Sequence, residues 1–200
     1  MQENLEQNIA PTPKKEKTSF TQGLLEQLEL IAIFFAIIIV IFACMCKSCM
    51  VDGDSMLNTL HNEERVIIWD MFYTPDYEDI VVIHDNGNIH KPIVKRVIGL
   101  PGDTVHVEHF LDTMKVTVTH SDGTQEILDE DYMRYNISDG YFNSYQSVGT
   151  WTVGEGEVFV MGDNRLNSTD SRMEGCYDSR LILGKVVFRM TPFDKMGAVK

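Results

Sequence analysis

The sequence predicts a mainly β protein carried on a single N-terminal transmembrane helix. Three observations support this. Every residue from Leu30 to Cys46 is apolar. Beyond residue 60 the apolar residues fall into short runs, many of period two, that stop at Gly, Asp or Pro. The length, 200 residues, suits one domain plus an anchor.

The apolar run comes first. As a helix it spans about 26 Å, and Leu28 with Met50 and Val51 extends the apolar contact towards the roughly 30 Å of a bilayer core. A globular core needs no such run. Lys14, Lys15 and Lys17 precede it, and only Lys47 follows closely. The positive-inside rule then puts residues 1–27 in the cytoplasm, 28–50 in the membrane and 51–200 outside. Residues 1–22, with Pro11 and Pro13, read as a disordered tail. A cleaved signal peptide is the competing reading, but both the polar leader and the apolar core are too long for it. Ile41-Phe42-Ala43-Cys44 has the outline of a lipoprotein cleavage box, opposed by the bulky Phe42 and the same long leader.

Charge narrows the function classes. The chain has 17 Lys+Arg against 30 Asp+Glu, a net charge of −13 with His neutral. From residue 50 onward there are 13 basic and 25 acidic residues, so the acidity belongs to the external domain. Such a chain is a poor nucleic-acid binder. Cys44, Cys46 and Cys49 are spaced C-x-C-x-x-C and Cys176 lies far away. They lack a nearby fourth metal ligand and form no disulfide framework, so they read as cysteines tolerated at the end of an apolar helix.

Strands follow the anchor. Residues 64–69, 79–84, 93–98, 104–107, 114–119, 158–161 and 185–189 have strand composition, with turns at Asp85-Asn86-Gly87 and Ser121-Asp122-Gly123. Residues 129–152, rich in Tyr, Asn and Ser, read as irregular. Many short strands with Gly/Asp turns predict a sheet assembly or barrel.

Three stretches could carry chemistry. Ser55 sits in Asp52-Gly53-Asp54-Ser55-Met56, where a turn would expose its hydroxyl. Lys95 lies in an apolar strand that ends at Pro101-Gly102, sharing a face with Ile93 and Val97. Apolar neighbours strip hydration from an ammonium and lower its pKa, and a neutral amine can take a proton from a serine. The third stretch is the polar loop Gly162-Asp163-Asn164-Arg165-Leu166-Asn167-Ser168-Thr169-Asp170-Ser171-Arg172. Taken singly, each has a plainer reading: a turn serine, a snorkelling lysine and a solvated loop. His61, His84, His90, His106, His109 and His120 show no zinc-protease spacing and no triad order. Gly-Asp-Ser also opens GDSL-type esterases, but their C-terminal Asp-x-x-His is missing; Asp103-Thr104-Val105-His106 lies mid-chain.

Together the three stretches resemble bacterial type I signal peptidase. The order is apolar anchor, Gly-x-Ser-Met, Lys-Arg-x-x-Gly-Leu-Pro-Gly-Asp, then Gly-Asp-Asn-Arg-x-Asn-Ser-x-Asp-Ser-Arg, and the likeness covers about residues 28–197. The resemblance implies a β-rich catalytic domain with a small β insertion within about 104–156. It implies a serine endopeptidase that removes N-terminal signal peptides from exported preproteins at the membrane surface. Ser55 would be the nucleophile and Lys95 its general base. Ser168 would orient the lysine amine, and Asp170 and Arg172 would brace the site. The Ser55 N–H would give one oxyanion donor, and Met56 would line the pocket for the small residue before the cut. Gly53 stands where some members add a second oxyanion donor. Asn58 replaces the usual Pro, Leu166 an Asp and Glu174 an aromatic residue. The expected partners are signal peptides and the lipid bilayer, with no nucleic acid, no metal or other cofactor, and a monomeric chain. Two other classes compete. One is a non-enzyme, a membrane-anchored β-domain that binds partners or a degenerate peptidase relative; intact Ser55, Lys95 and Ser168 argue against degeneracy. A soluble, self-cleaving repressor-like Ser-Lys protease is opposed by the anchor and the acidity.

Overall fold

The computed structural model describes residues 20–84, 91–110, 113–132 and 148–199. The turn expected at Asp85-Asn86-Gly87, His90, the tail to residue 19 and residues 133–147 of the stretch expected to be irregular lie outside them. The chain forms two compact units, Met1–Phe42 and Ala43–Lys200.

Helix α1 runs over Phe20–Met45. Between Thr21 and Ile41 it is long and apolar enough to cross a membrane. Over those residues it is solvent-exposed except at the half-buried Gly23 and Ile38, so Leu30, Phe34 and Ile39 point outward, as lipid contact requires. The helix starts earlier and stops earlier than the apolar run suggested. Cys46–Met50, expected to end the anchor, form strand β1, whose backbone groups pair with the next strand instead of continuing the helix.

The rest is β. In order come β2 (Arg65–Trp69), β3 (Ile80–Ile83), β4 (Ile93–Gly99), β5 (Thr104–Phe110), β6 (Thr113–Thr119), β7 (Gln125–Ile127), β8 (Gly149–Thr152) and β9 (Glu157–Met161). A one-turn helix α2 (Ser171–Glu174) is followed by β10 (Tyr177–Asp178), β11 (Ile182–Thr191) and β12 (Gly197–Ala198). The larger sheet has the order β1-β2-β11-β3-β4-β9-β10, with β12 added to β11; the smaller one is β7-β6-β5-β8. All pairings are antiparallel. Strand β8 corrects the irregular reading of 129–152. Gly149-Thr150-Trp151-Thr152 has one strong apolar residue, and Trp151 finds its partner in Phe159 across the core, ring centres 5.2 Å apart.

Apolar alternation explains the packing. Val105, Val107, Val116 and Val118 turn one face of the small sheet onto Phe159 and Met161 of β9. A second cluster, including Met56, Leu60, Val66, Ile68 and Val186, packs the loop that carries Ser55 against the larger sheet. Between β4 and β5 the chain turns at Leu100-Pro101-Gly102-Asp103. Gly102 has φ +91°, Asp103 N–H donates to Leu100 O (3.0 Å), and Asp103 Oδ2 accepts from Leu100 N–H (2.9 Å). Pro at the second and Gly at the third position suit a type II turn.

Candidate active site

Ser55 lies in a loop tied at both ends. Val51 N–H donates to Glu64 O and Glu63 N–H to Val51 O, both 2.8 Å. Gly53, at φ +103°, reverses the chain and donates its N–H to Asn62 Oδ1 (2.9 Å). Met56 and Leu60, 1% and 0% exposed, bury the far side of this loop. Ser55 itself stays half-exposed.

Lys95 comes from the middle of β4, opposite Val81, in a strand flanked by β3 and β9. It is 3% exposed. Its Nζ donates to Ser55 Oγ at 2.7 Å and to Val94 O at 3.1 Å. Burial pulls its pKa down from 10.5 to about 8, against the pull of the Asp170 and Asp163 carboxylates and with a push from Arg172. Each of those carboxylates is paired with an arginine. Asp170 takes both Nε and Nη2 of Arg172 at 2.8 Å. Asp163 takes Arg96 Nε at 2.9 Å and Nη2 at 2.8 Å. Among the described residues the desolvated lysine has no ion-pair partner of its own.

The polar loop after β9 joins these parts. Asn164 N–H donates to Ser55 O and its side-chain Nδ2 to Asp54 O, both at 3.0 Å. Gly162 stands at the crossing: a Cβ there would lie 2.5 Å from Ser55 O and 2.2 Å from Ser168 Oγ. Its N–H donates to Asp170 Oδ2 (3.0 Å), and its C=O accepts from Arg165 Nε (3.1 Å). Asp170 also caps α2, accepting from Arg172 N–H (3.2 Å). Burial alone would raise the Asp170 carboxyl; Arg172, the Gly162 N–H and the Ser168 hydroxyl overcome it and hold its pKa below the usual value.

Of the residues expected at the site, Ser55 and Lys95 meet directly. Asp170 and Arg172 pair beneath them, and Ser168 sits beside Gly162. The hydrogen bond expected from Ser168 to Lys95 is not formed; Ser168 Oγ is enclosed and lacks a hydrogen bond of full geometry. Met56 is packed into the core under the serine loop.

Several residues of the site escaped sequence reading. Arg96 is 1% exposed, and besides Asp163 it reaches Glu78 O at 2.9 Å. Thr59 Oγ1 donates to Asp163 Oδ2 at 2.5 Å. A signal for Arg96 existed, since an arginine between Val94 and Ile98 on one strand face must bury with a counter-charge. Glu130, which pairs with Arg165, gave none, because the two are 35 positions apart and meet only in the fold.

A lysine buried against a half-exposed serine hydroxyl, beside a polar loop braced by three buried arginine–carboxylate pairs, is the arrangement of a Ser-Lys hydrolase. The family model for signal peptidase, peptidase S26, matches residues 24–191. Signal peptidase I S of Bacillus subtilis (strain 168) is 36% identical over 191 residues, covering 92% of this chain and 97% of that protein. Signal peptidase IB of Staphylococcus aureus is 34% identical over 188 residues, covering 86% and 92%. A solved signal peptidase I from Enterococcus faecalis V583 aligns at 26% identity and a TM-score of 0.39, over 57% of this chain and 97% of that one. The chain belongs to the signal peptidase family, peptidase S26.

Proposed function

We propose that this chain removes N-terminal signal peptides from exported preproteins with Ser55 as nucleophile and Lys95 as general base. The activity follows from the family. The observation that supports the residue roles is the 2.7 Å contact between a buried lysine amine and a half-exposed serine hydroxyl.

In the reactive state Lys95 is neutral and its lone pair accepts the Ser55 proton as Oγ attacks the carbonyl before the scissile bond. The new C–O bond gives a tetrahedral oxyanion that the Ser55 N–H can meet. Collapse breaks the C–N bond, and the ammonium returns its proton to the leaving amine, the new N-terminus of the mature protein. Water, deprotonated by Lys95 in turn, then hydrolyses the ester. With a pKa of about 8, roughly a tenth of the lysine is neutral at pH 7, where a free lysine would be almost wholly charged.

The supporting groups act on this pair. Asp170 and Arg172 fix Gly162 and, through it, the approach of the loop to Ser55. Ser168 would offer its hydroxyl to the lysine once Ser55 has been acylated. Met56 sets the floor of the pocket for a small residue from below. The helix is the membrane anchor, its N-terminal side is cytoplasmic, and the β-rich unit acts outside as a monomer. Cleavage of a model preprotein by the purified protein and by Ser55→Ala tests the assignment. The wild type should release the mature chain and Ser55→Ala should not; equal cleavage by both would remove Ser55 from the reaction.

A further inference from the structure

Two buried arginines stand behind the site, and both depend on one short segment that leaves the small sheet after β7. Arg165 has a side chain with 0% exposure, and its only carboxylate partner among the described residues is Glu130, itself 3% exposed in its side chain. The pair is bidentate: Nη1 donates to Glu130 Oε2 at 2.7 Å, and Nη2 donates to Oε1. Two residues on, Tyr132 donates its hydroxyl to Glu130 Oε1 at 3.1 Å, and its ring lies over the Arg96 guanidinium, 3.9 Å from ring centre to Cζ. One segment therefore holds Arg165 by charge and covers Arg96 with an aromatic face.

What those arginines hold is the site. Arg165 Nε donates to Gly162 O, and Arg165 O accepts from Arg172 Nη1 at 2.9 Å. Arg96 holds Asp163, the next residue. Gly162 has no slack, since Ser55 O and Ser168 Oγ already occupy the space where a Cβ would stand. A shift of the Gly162–Asp163 backbone therefore becomes a shift of the serine loop and of Ser168.

We propose that Glu130 and Tyr132 are positioning residues for signal-peptide cleavage, which fix the Gly162–Asp163 backbone through Arg165 and Arg96 and so set the distance between Ser55 and Lys95. The proposal rests on the Ser55–Lys95 reading. It gives the small β sheet a function beyond packing: the sheet delivers the brace.

A structural role alone and a positioning role separate in a charge-removal series. Glu130→Gln keeps the shape but strands a buried arginine, so both the urea midpoint and kcat fall, kcat by about 10- to 100-fold, with KM for a model preprotein within about twofold. Glu130→Leu combined with Arg165→Met removes both charges. Its urea midpoint returns towards wild type, but kcat stays low because Gly162 O has lost its donor. Tyr132→Phe keeps the ring over Arg96 and loses only the hydroxyl bond; it keeps its urea midpoint while kcat falls. A kcat that recovers together with stability in the double variant overturns the proposal, as does wild-type kcat in Glu130→Gln or in Tyr132→Phe. Ser55→Ala and Lys95→Met run in the same assay. Cleavage by either of them refutes the dyad itself, whereas inactive dyad variants beside a fully active Glu130→Gln refute the brace alone.

Discussion

Lys95 is the proposed general base, and its cost to the fold is measurable. Its pKa falls from 10.5 to about 8 on folding because burial disfavours the ammonium. A base with a lowered folded pKa binds fewer protons folded than unfolded between those values, so stability rises with pH through that window. The penalty, about 3 kcal/mol, is fully present below pH 8 and gone above 10.5. Lys95→Met keeps the length and removes the charge. In urea denaturation it should be more stable than wild type at pH 7, with the difference closing towards pH 10.5; a difference that does not change with pH would contradict the burial account. Gly162 makes a second prediction at this scale. Gly162→Ala forces a Cβ against Ser55 O and Ser168 Oγ. It should destabilise by about 1–3 kcal/mol and abolish cleavage, read by thermal melting and a preprotein assay. Ser168→Ala removes an enclosed hydroxyl that supports the Asp170 carboxylate, and kcat for a model preprotein should drop about tenfold with KM little changed. An unchanged kcat would take Ser168 out of the site.

The elements show why some of this was legible in the sequence and some was not. Strand β4 was legible because its apolar run, its lysine and its Pro-Gly turn are contiguous. Ser55 was legible as a turn residue only through its motif, since a serine after glycine carries no signal of its own. Strands β1, β7, β8, β10 and β12 were missed because they are short or polar and are strands only by virtue of their neighbours. The Asp163–Arg96 pair could have been inferred from an arginine on an apolar strand face, whereas Glu130–Arg165 is invisible until the small sheet folds. The pairing makes its own prediction. Asp163→Asn leaves a buried arginine short of its counter-charge and should cost about 3–5 kcal/mol. Asp178→Asn, which breaks the surface pair with Arg180, should leave the urea midpoint close to wild type. Equal losses in urea would mean that the buried pair is not what braces the loop.

At the scale of the molecule, one apolar helix and one β-rich unit divide the work between holding and cutting. The lysines before the helix set the proposed direction, with the N-terminus in the cytoplasm. Protease added to protoplasts should therefore digest the chain beyond residue 60; full protection would reverse the orientation. A fold of this kind, with antiparallel strands feeding three distant stretches into one site, makes the proposed dyad a property of the whole unit, since Ser55 and Lys95 are 40 positions apart. The most direct test is cleavage of a model preprotein by purified, folded Lys95→Met across pH. The wild type should show a rate that rises about tenfold per pH unit below pH 8 and levels above it. Lys95→Met should bind the preprotein and leave it uncut at every pH. Cleavage by Lys95→Met at near wild-type rate would contradict the dyad.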